Sequence, residues 1–365
     1  MNKKTKVFIA IGGTGGHVFP GCNLATHLSE KNYYVKLITD KRGQKFIQKL
    51  ENLDFFVIPS SPLNSKNFFS ILLSCCIIFY SILRSLVFLI SNRPKIIFGM
   101  GGYASFPICV AASILRIDYI IYENNLILGK ANKYLLPFAK KMIISFKELE
   151  GVPEKYFKKI FFTGNIIKKE IIDLSEKNSS NNELKKFGVL VLGGSKAAKI
   201  FAEVLPNIFK QCNDQGIKLK IFQHCLPSQN ENLELFYEKN KIEFELFNFS
   251  SDLSHYFLKV NLAITRSGSS MLAELTNANL PFISVPLPSS ADNHQLKNAT
   301  YYKKKNYAFL IEEKDLSNRL LYLMKEIYEN KSVLNKIIQS QRQYSDKNVY
   351  NNIDKVMEEI IDEKN

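Results

Sequence analysis

In the stretch VFIAIGGTGGHVFPG, residues 7–21, four glycines occupy five positions after an apolar run, and a histidine follows them. Glycines there let a backbone come close to an anion and aim the first N–H groups of a helix at it. Two more loops of this kind follow apolar runs, GMGGY at 99–103 and GGSKAA at 193–198. Together the three point to a phosphate-bearing ligand, although each alone is equally a tight strand-to-helix turn. A dinucleotide fits poorly: counting from Gly13, G-x-G-x-x-G needs glycine where Val18 stands, even though Asp40 closes the next strand as a ribose-binding acid would. No G-x-x-x-x-G-K-[ST] occurs, which sets aside a P-loop nucleotidase. His17 opens a helix whose N-terminal dipole disfavours an imidazolium, so the ring stays neutral, the state a general base needs.

The second half offers a different set of groups. In ITRSGSSMLAEL, residues 264–275, Ser267, Gly268, Ser269 and Ser270 stand at a strand end and Glu274 lies one turn into the next helix. N–H groups there suit a diphosphate, and the carboxylate is spaced to accept two hydrogen bonds from a vicinal diol such as a ribose. The plainer role of these serines is helix capping. In PLPSSADNHQLKNA, residues 286–299, Asp292, Asn293, His294 and Gln295 gather before another helix, a cluster suited to sugar hydroxyls or, for Asp292, to a cap. With no Asp-x-Asp in the chain, no metal is expected to hold a diphosphate.

The elements that must position these groups alternate short apolar runs with longer amphipathic stretches, the pattern of parallel sheets with crossover helices. The spacing predicts strands at 6–11, 34–39, 54–58, 95–98, 119–122, 142–145 and 160–163, with helices at 16–30, 42–51, 67–92, 103–115 and 126–138. A polar segment, 174–186, reads as a linker, after which strands are expected at 187–192, 218–223, 243–247, 261–264 and 281–285. At 365 residues the chain suits two domains, similar in architecture and facing each other across a cleft at the carboxyl ends of their strands.

Residues 67–90 form an apolar run long enough to span a bilayer. On a helical projection Lys66, Asn67, Ser70, Ser74, Ser81, Arg84, Ser85, Ser91 and Asn92 form a polar stripe interrupted by Ile77 and Phe88. A spanning helix would put the glycine loops at 12–16 and 99–102 on opposite sides of a membrane, although both read as turns of one sheet. The stretch is therefore expected to be an amphipathic helix with an unusually broad apolar face, lying on a membrane or a partner.

The formal charge of +15, from 49 Lys+Arg against 34 Asp+Glu, favours an anionic partner. Lysine is spread along the whole chain, and no basic stripe with interleaved aromatics points to nucleic acid. Cys22, Cys75, Cys76, Cys109, Cys212 and Cys225 form no C-x-x-C pair, against a zinc site or a disulfide framework. The apolar run of about six residues in MNKKTKVFIAIGG is too short for a signal peptide, and a cytoplasmic protein is expected.

With these residues in view, the sequence resembles the MurG family of peptidoglycan N-acetylglucosaminyltransferases. The resemblance covers nearly the whole chain and rests on GGTGGHVFP (12–20), GMGGYASFP (99–107), YENN (122–125), TGN (163–165), VLGGSKAA (191–198), RSGSSMLAEL (266–275) and ADNHQLKNA (291–299). It implies an α/β GT-B fold of two Rossmann-like parallel-sheet domains. These would be an acceptor- and membrane-facing domain at 1–165, with a C-terminal helix near 345–365 packing back on it, and a UDP-sugar-binding domain at 166–344. The implied reaction moves N-acetylglucosamine from UDP-GlcNAc to the muramyl 4-hydroxyl of undecaprenyl-pyrophosphoryl-muramyl-pentapeptide, with inversion, no cofactor and no metal, peripherally at the cytoplasmic face of the cell membrane. By motif, His17 is the base; Thr14, Gly15 and Gly16 lie near the sugar, Asn125 on the acetamido sugar and Ser195 on the diphosphate. Ser250 would lie by the uracil, Ser269, Ser270, Met271, Leu272, Ala273 and Glu274 at phosphate and ribose, and His294 and Gln295 at sugar hydroxyls. Two positions depart from the family pattern: Lys168 stands for a donor-site arginine in GNIIKKE, and QHCL at 223–226 replaces His-Gln-Thr/Ser-Gly. Lysine gives a point charge where arginine gives a planar fork. The readings left beside this one are another GT-B transferase, a nucleotide-sugar epimerase, or a non-catalytic membrane-associated UDP-sugar-binding subunit.

Overall fold

The computed structural model describes residues 4–48, 53–62, 67–177, 186–194, 198–250 and 252–362. The chain divides into two compact units, Met1–Ile167 with Asp346–Asn365, and Lys168–Ser345.

Among the described residues, the first unit is built on seven strands, β1 (Lys6–Ala10), β2 (Tyr34–Thr39), β3 (Phe55–Val57), β4 (Ile96–Gly99), β5 (Tyr119–Glu123), β6 (Lys141–Ile144) and β7 (Ile160–Phe162). They pair in the order β3-β2-β1-β4-β5-β6-β7, all parallel. Val7–Ile11 and Ile96–Met100 are buried without alternation, as a parallel sheet covered on both faces requires. Helices α1 (Gly15–Glu30), α2 (Lys41–Ile47), α3 (Phe68–Ser91), α4 (Gly102–Ile114) and α5 (Lys130–Leu135) make the crossovers. The strand order reverses between β1 and β4, so the loops into α1 and α4 open side by side at the carboxyl edge, where ligands of such sheets bind.

The second unit repeats the plan with β8 (Phe187–Leu192), β9 (Leu219–His224), β10 (Glu243–Phe247), β11 (Leu262–Thr265), β12 (Phe282–Ser284) and β13 (Phe309–Leu310) in the parallel order β10-β9-β8-β11-β12-β13. Its helices are α6 (Lys169–Lys177), α7 (Lys199–Asp214), α8 (Asn230–Lys239), α9 (Ser254–Phe257), α10 (Ser269–Asn277), α11 (His294–Lys304), α12 (Leu316–Glu329) and α13 (Lys331–Gln341). Strand β13 has two residues, too few to leave a periodic signature. Helix α6 covers the start of the expected linker because Ile171, Ile172 and Leu174 are buried, and it packs on α10; residues 178–185 lie outside the described residues.

The last helix, α14 (Val349–Asp362), belongs to the first unit. Asp354 lies 2.9 Å from His27 Nε2 and 3.0 Å from Lys31 Nζ on α1, and the Tyr350 hydroxyl donates to the Ile167 carbonyl at 2.6 Å.

Helix α3 turns its broad apolar face out of the fold, as an amphipathic helix lying on a membrane or a partner requires. Ser74, Ser81 and Ser85 face the protein and are buried, while Phe69 (77% exposed), Phe79 (64%), Val87 (68%) and Ile90 (66%) face outward. Lys66 lies outside the described residues. Small hydroxyls suit a close seam, because they can return their polarity to backbone. The Ser81 hydroxyl is 2.6 Å from the carbonyls of both Ile77 and Pro59, and the Ser85 hydroxyl donates to Ser81 O at 2.6 Å. The helix thus turns its serines inward, with Phe88 and Leu89 near its end, packs on α4, and leaves most of its bulky residues outside. Ser81→Leu is expected to lower unfolding free energy by about 1–3 kcal/mol through overpacking, measured as the urea midpoint. An unchanged midpoint would contradict the buried placement.

Candidate active site

At the switch between β1 and β4, Thr14 caps α1 by position, with no side-chain capping bond, and Gly15, Gly16 and His17 form the first turn. Pro20 lies inside this helix and has no N–H to give the Gly16 carbonyl, its partner four residues back. The Asn124 carboxamide supplies that hydrogen bond instead, Nδ2 to Gly16 O at 2.8 Å. Asn125 follows, its Nδ2 donating to Asn124 Oδ1 (2.9 Å) and to Glu123 Oε1 (3.2 Å). The structure therefore brings Thr14–His17 and Asn125 together within the first unit.

Glu123, at the end of β5 and 3% exposed, is the knot beneath them. Its carboxyl accepts from the Asn125 N–H (3.1 Å), the Gly129 N–H (2.9 Å) and Asn132 Nδ2 (2.9 Å) as well as from the Asn125 side chain. Burial pushes its pKa up, opposed by these hydrogen bonds, first among them the one from Gly129. Sequence reading did not single out Glu123 or Asn124. The signal for Asn124 was Pro20, whose spacing from Gly16 announces an unclaimed carbonyl. Asp40 is no ribose acid here: its carboxyl accepts from the N–H groups of Gly43 (2.8 Å) and Gly13 (3.2 Å) and from Ser60 Oγ (2.9 Å), bracing the glycine loop.

In the second unit, Gly268 caps α10 and Ser269, Ser270 and Met271 form its first turn. Leu272 and Ala273 are fully buried, and the Leu272 N–H donates to Gly268 O at 3.1 Å. These two residues serve the core, so polar contacts at this helix start fall to the first turn and to Glu274. Glu274 is half-buried, and burial pushes its pKa up to about 7, with the Lys168 charge drawing it down. Lys168 acts likewise on Asp252, near Ser250, so Lys168, Glu274 and the loop after β10 form one electrostatic group. The Gln295 carboxamide oxygen accepts from Ser267 N (3.2 Å) and Leu287 N (3.0 Å), tying α11 to the serine loop. His294 is partly exposed, Nδ1 2.7 Å from Ala291 O. In the QHCL segment Gln223 is buried against Tyr237, whose hydroxyl donates to it at 2.6 Å, and His224 lies 3.0 Å from Asn248 O, so both side chains support the fold. Ser195 lies outside the described residues. Among the described residues no group of three or more His, Cys, Asp or Glu is placed to hold a metal ion.

Comparison with known proteins places this geometry. Residues 7–144 match the glycosyltransferase family 28 N-terminal domain and residues 188–355 the glycosyltransferase family 28 C-terminal domain. The chain is 34% identical over 365 residues to a UDP-N-acetylglucosamine--N-acetylmuramyl-(pentapeptide) pyrophosphoryl-undecaprenol N-acetylglucosamine transferase of Pelagibacter ubique (strain HTCC1062), covering 100% of both chains. The chain belongs to the MurG family. A second relative in the family, of the same description from Rickettsia felis (strain ATCC VR-1525 / URRWXCal2), is 35% identical over 320 residues, 86% of this chain and 87% of that one. The crystal structure of Acinetobacter baumannii MurG superposes with a TM-score of 0.76 at 22% identity, covering 97% of this chain and 99% of that one. The two parallel-sheet domains of this MurG-family chain are thus of the GT-B class.

A carboxyl whose pKa is higher in the folded than in the unfolded chain stabilises the fold when protonated and loses that contribution as pH rises through its folded value. Glu274→Gln, which stays neutral, is therefore expected to raise the thermal midpoint relative to wild type above pH 7, with the difference vanishing toward pH 4.5. A pH-independent difference would show that the carboxyl is not held in a desolvated site.

Proposed function

We propose that the chain transfers N-acetylglucosamine from UDP-GlcNAc to the 4-hydroxyl of the muramyl residue of undecaprenyl-pyrophosphoryl-MurNAc-pentapeptide, making lipid II from lipid I, with inversion. The observation that carries the reading is full-length kinship at 34% with a transferase of that description, joined to a histidine fixed in the first turn of α1. In the proposed step His17 takes the proton of the attacking hydroxyl, the new bond forms at the anomeric carbon, and the electron pair of the sugar–phosphate bond leaves with UDP. Thr14, Gly15, Gly16 and Asn125 attend the sugar. UDP is held by the second domain: diphosphate at the starts of α7 and α10, with Ser195 and Lys168, ribose on Glu274, and uracil near Ser250. Gln295 and His294 meet sugar hydroxyls.

The membrane-bound acceptor gives the outward face of α3 a purpose. This helix is long and apolar enough to cross a membrane, yet its inner seam is committed to the protein. We place it flat on the cytoplasmic face of the membrane, its phenylalanines and leucines in the acyl boundary, which makes the protein peripheral.

Radiolabelled UDP-GlcNAc and purified lipid acceptor are expected to give labelled lipid product. Label appearing in an epimeric nucleotide sugar without acceptor, or bound nucleotide without turnover, would overturn the reading in favour of an epimerase or a binding subunit. His17→Ala should lower kcat about 10²–10⁴-fold while UDP binding persists; wild-type turnover in that variant would remove His17 from the mechanism. Phe79→Asp should weaken sedimentation with phospholipid vesicles and, at an exposed position, leave stability within about 0.5 kcal/mol. Undiminished vesicle binding would sink the α3 placement.

A further inference from the structure

We propose that the loop after β4 is a seat for the His17 imidazole that fixes both its position and its tautomer, an inference that rests on His17 being the base. Met100 extends β4, its N–H donating to Ala10 O at 2.9 Å, so its carbonyl is fixed to the edge of the sheet. That carbonyl lies 2.9 Å from His17 Nδ1. A carbonyl oxygen only accepts, so Nδ1 carries the hydrogen, and the neutral ring then has its lone pair on Nε2. The nitrogen that can receive a proton is thereby chosen by the backbone of a different loop.

Gly101 and Gly102 explain how the ring reaches that carbonyl. They have φ of +87° and +71°, in the left-handed region that favours glycine. A Cβ at Gly101 would stand 3.2 Å from His17 Cε1 and 3.3 Å from Nδ1; one at Gly102 would stand 3.1 Å from Cδ2 and 3.3 Å from Nε2. The imidazole therefore lies across two residues whose missing side chains make the room, and neither position admits even alanine without displacing it. The Ser105 hydroxyl, 3.1 Å from the carbonyls of Gly101 and of Gly102, holds the turn in shape. The GMGGY stretch, which reads as an anion loop in sequence, is here occupied by an aromatic ring. Met100, Gly101 and Gly102 are positioning residues: they act on the acceptor only through His17.

The test is the tautomer itself. In wild-type protein labelled with ¹⁵N-histidine, two-dimensional ¹H–¹⁵N correlation at a pH where the His17 ring is neutral is expected to show Nδ1 protonated and Nε2 bare, with the resonance identified by its loss in His17→Gln. A neutral ring protonated on Nε2 would overturn the proposal. This readout needs neither substrate nor turnover, so it stands apart from the transfer assay that tests the activity. Gly102→Ala is expected to lower kcat about 10–100-fold with KM for UDP-GlcNAc within about twofold of wild type, the split a displaced base produces. Wild-type kcat in a folded Gly102→Ala protein would equally count against the seat.

Discussion

One missing hydrogen bond organises the first domain. Because Pro20 cannot donate to Gly16, a backbone carbonyl at the opening of α1 is left to be claimed from outside the helix, and Asn124 claims it from the end of β5. An unclaimed carbonyl in partly buried surroundings costs more than the bond itself contributes, so the contact is a strong constraint on how these two loops meet. From it follow the placement of Asn125, which leans on Asn124, and the need for a carboxyl at Glu123, which gathers four donors beneath both.

The two domains use one topology in opposite ways. Each reverses strand order at its centre, between β1 and β4 in one and between β8 and β11 in the other. In the first, small residues at that place admit a side chain, and the neighbouring glycine loop is braced by Asp40. In the second, helix α10 starts there and carries a carboxyl in a desolvated setting beside a lysine, a charge arrangement suited to a polar ligand that brings its own hydroxyls. Fold alone would not distinguish these uses, since both are ordinary strand-to-helix turns.

Much of the scaffold was legible because buried parallel strands leave unbroken apolar runs. Those of β1, β4, β5 and β8 stand out between glycine and polar punctuation, whereas two-residue β13 leaves no trace. The site was legible as positions more than as roles. Ser269, Ser270 and Glu274 could be placed on one helix start, but only the three-dimensional packing shows that Leu272 and Ala273 between them turn inward. Helix α3 was readable as amphipathic with a broad outward apolar face, but its seam was not, because a periodic pattern records that two faces differ without recording what the polar one packs against. Serine is compatible with either face, and here short hydroxyls that bond to nearby carbonyls made it the residue of the interior. Glu123 stood within the YENN motif, but its role was not legible, because its four donors come from three separate points of the chain after it.

The thin inner side of α3 has a mechanical meaning. A 24-residue helix is a rod of about 36 Å, and a rod held by buried residues from Ser74 to Leu89 transmits orientation as well as adhesion. A surface that takes up the outer side of such a rod fixes the tilt of the first domain about the perpendicular axis, which a tethered point or a flexible tail would leave unrestrained. The serine seam thus turns a greasy segment into a keel: whatever plane takes up its outer side, the inclination of the first domain to that plane is already set.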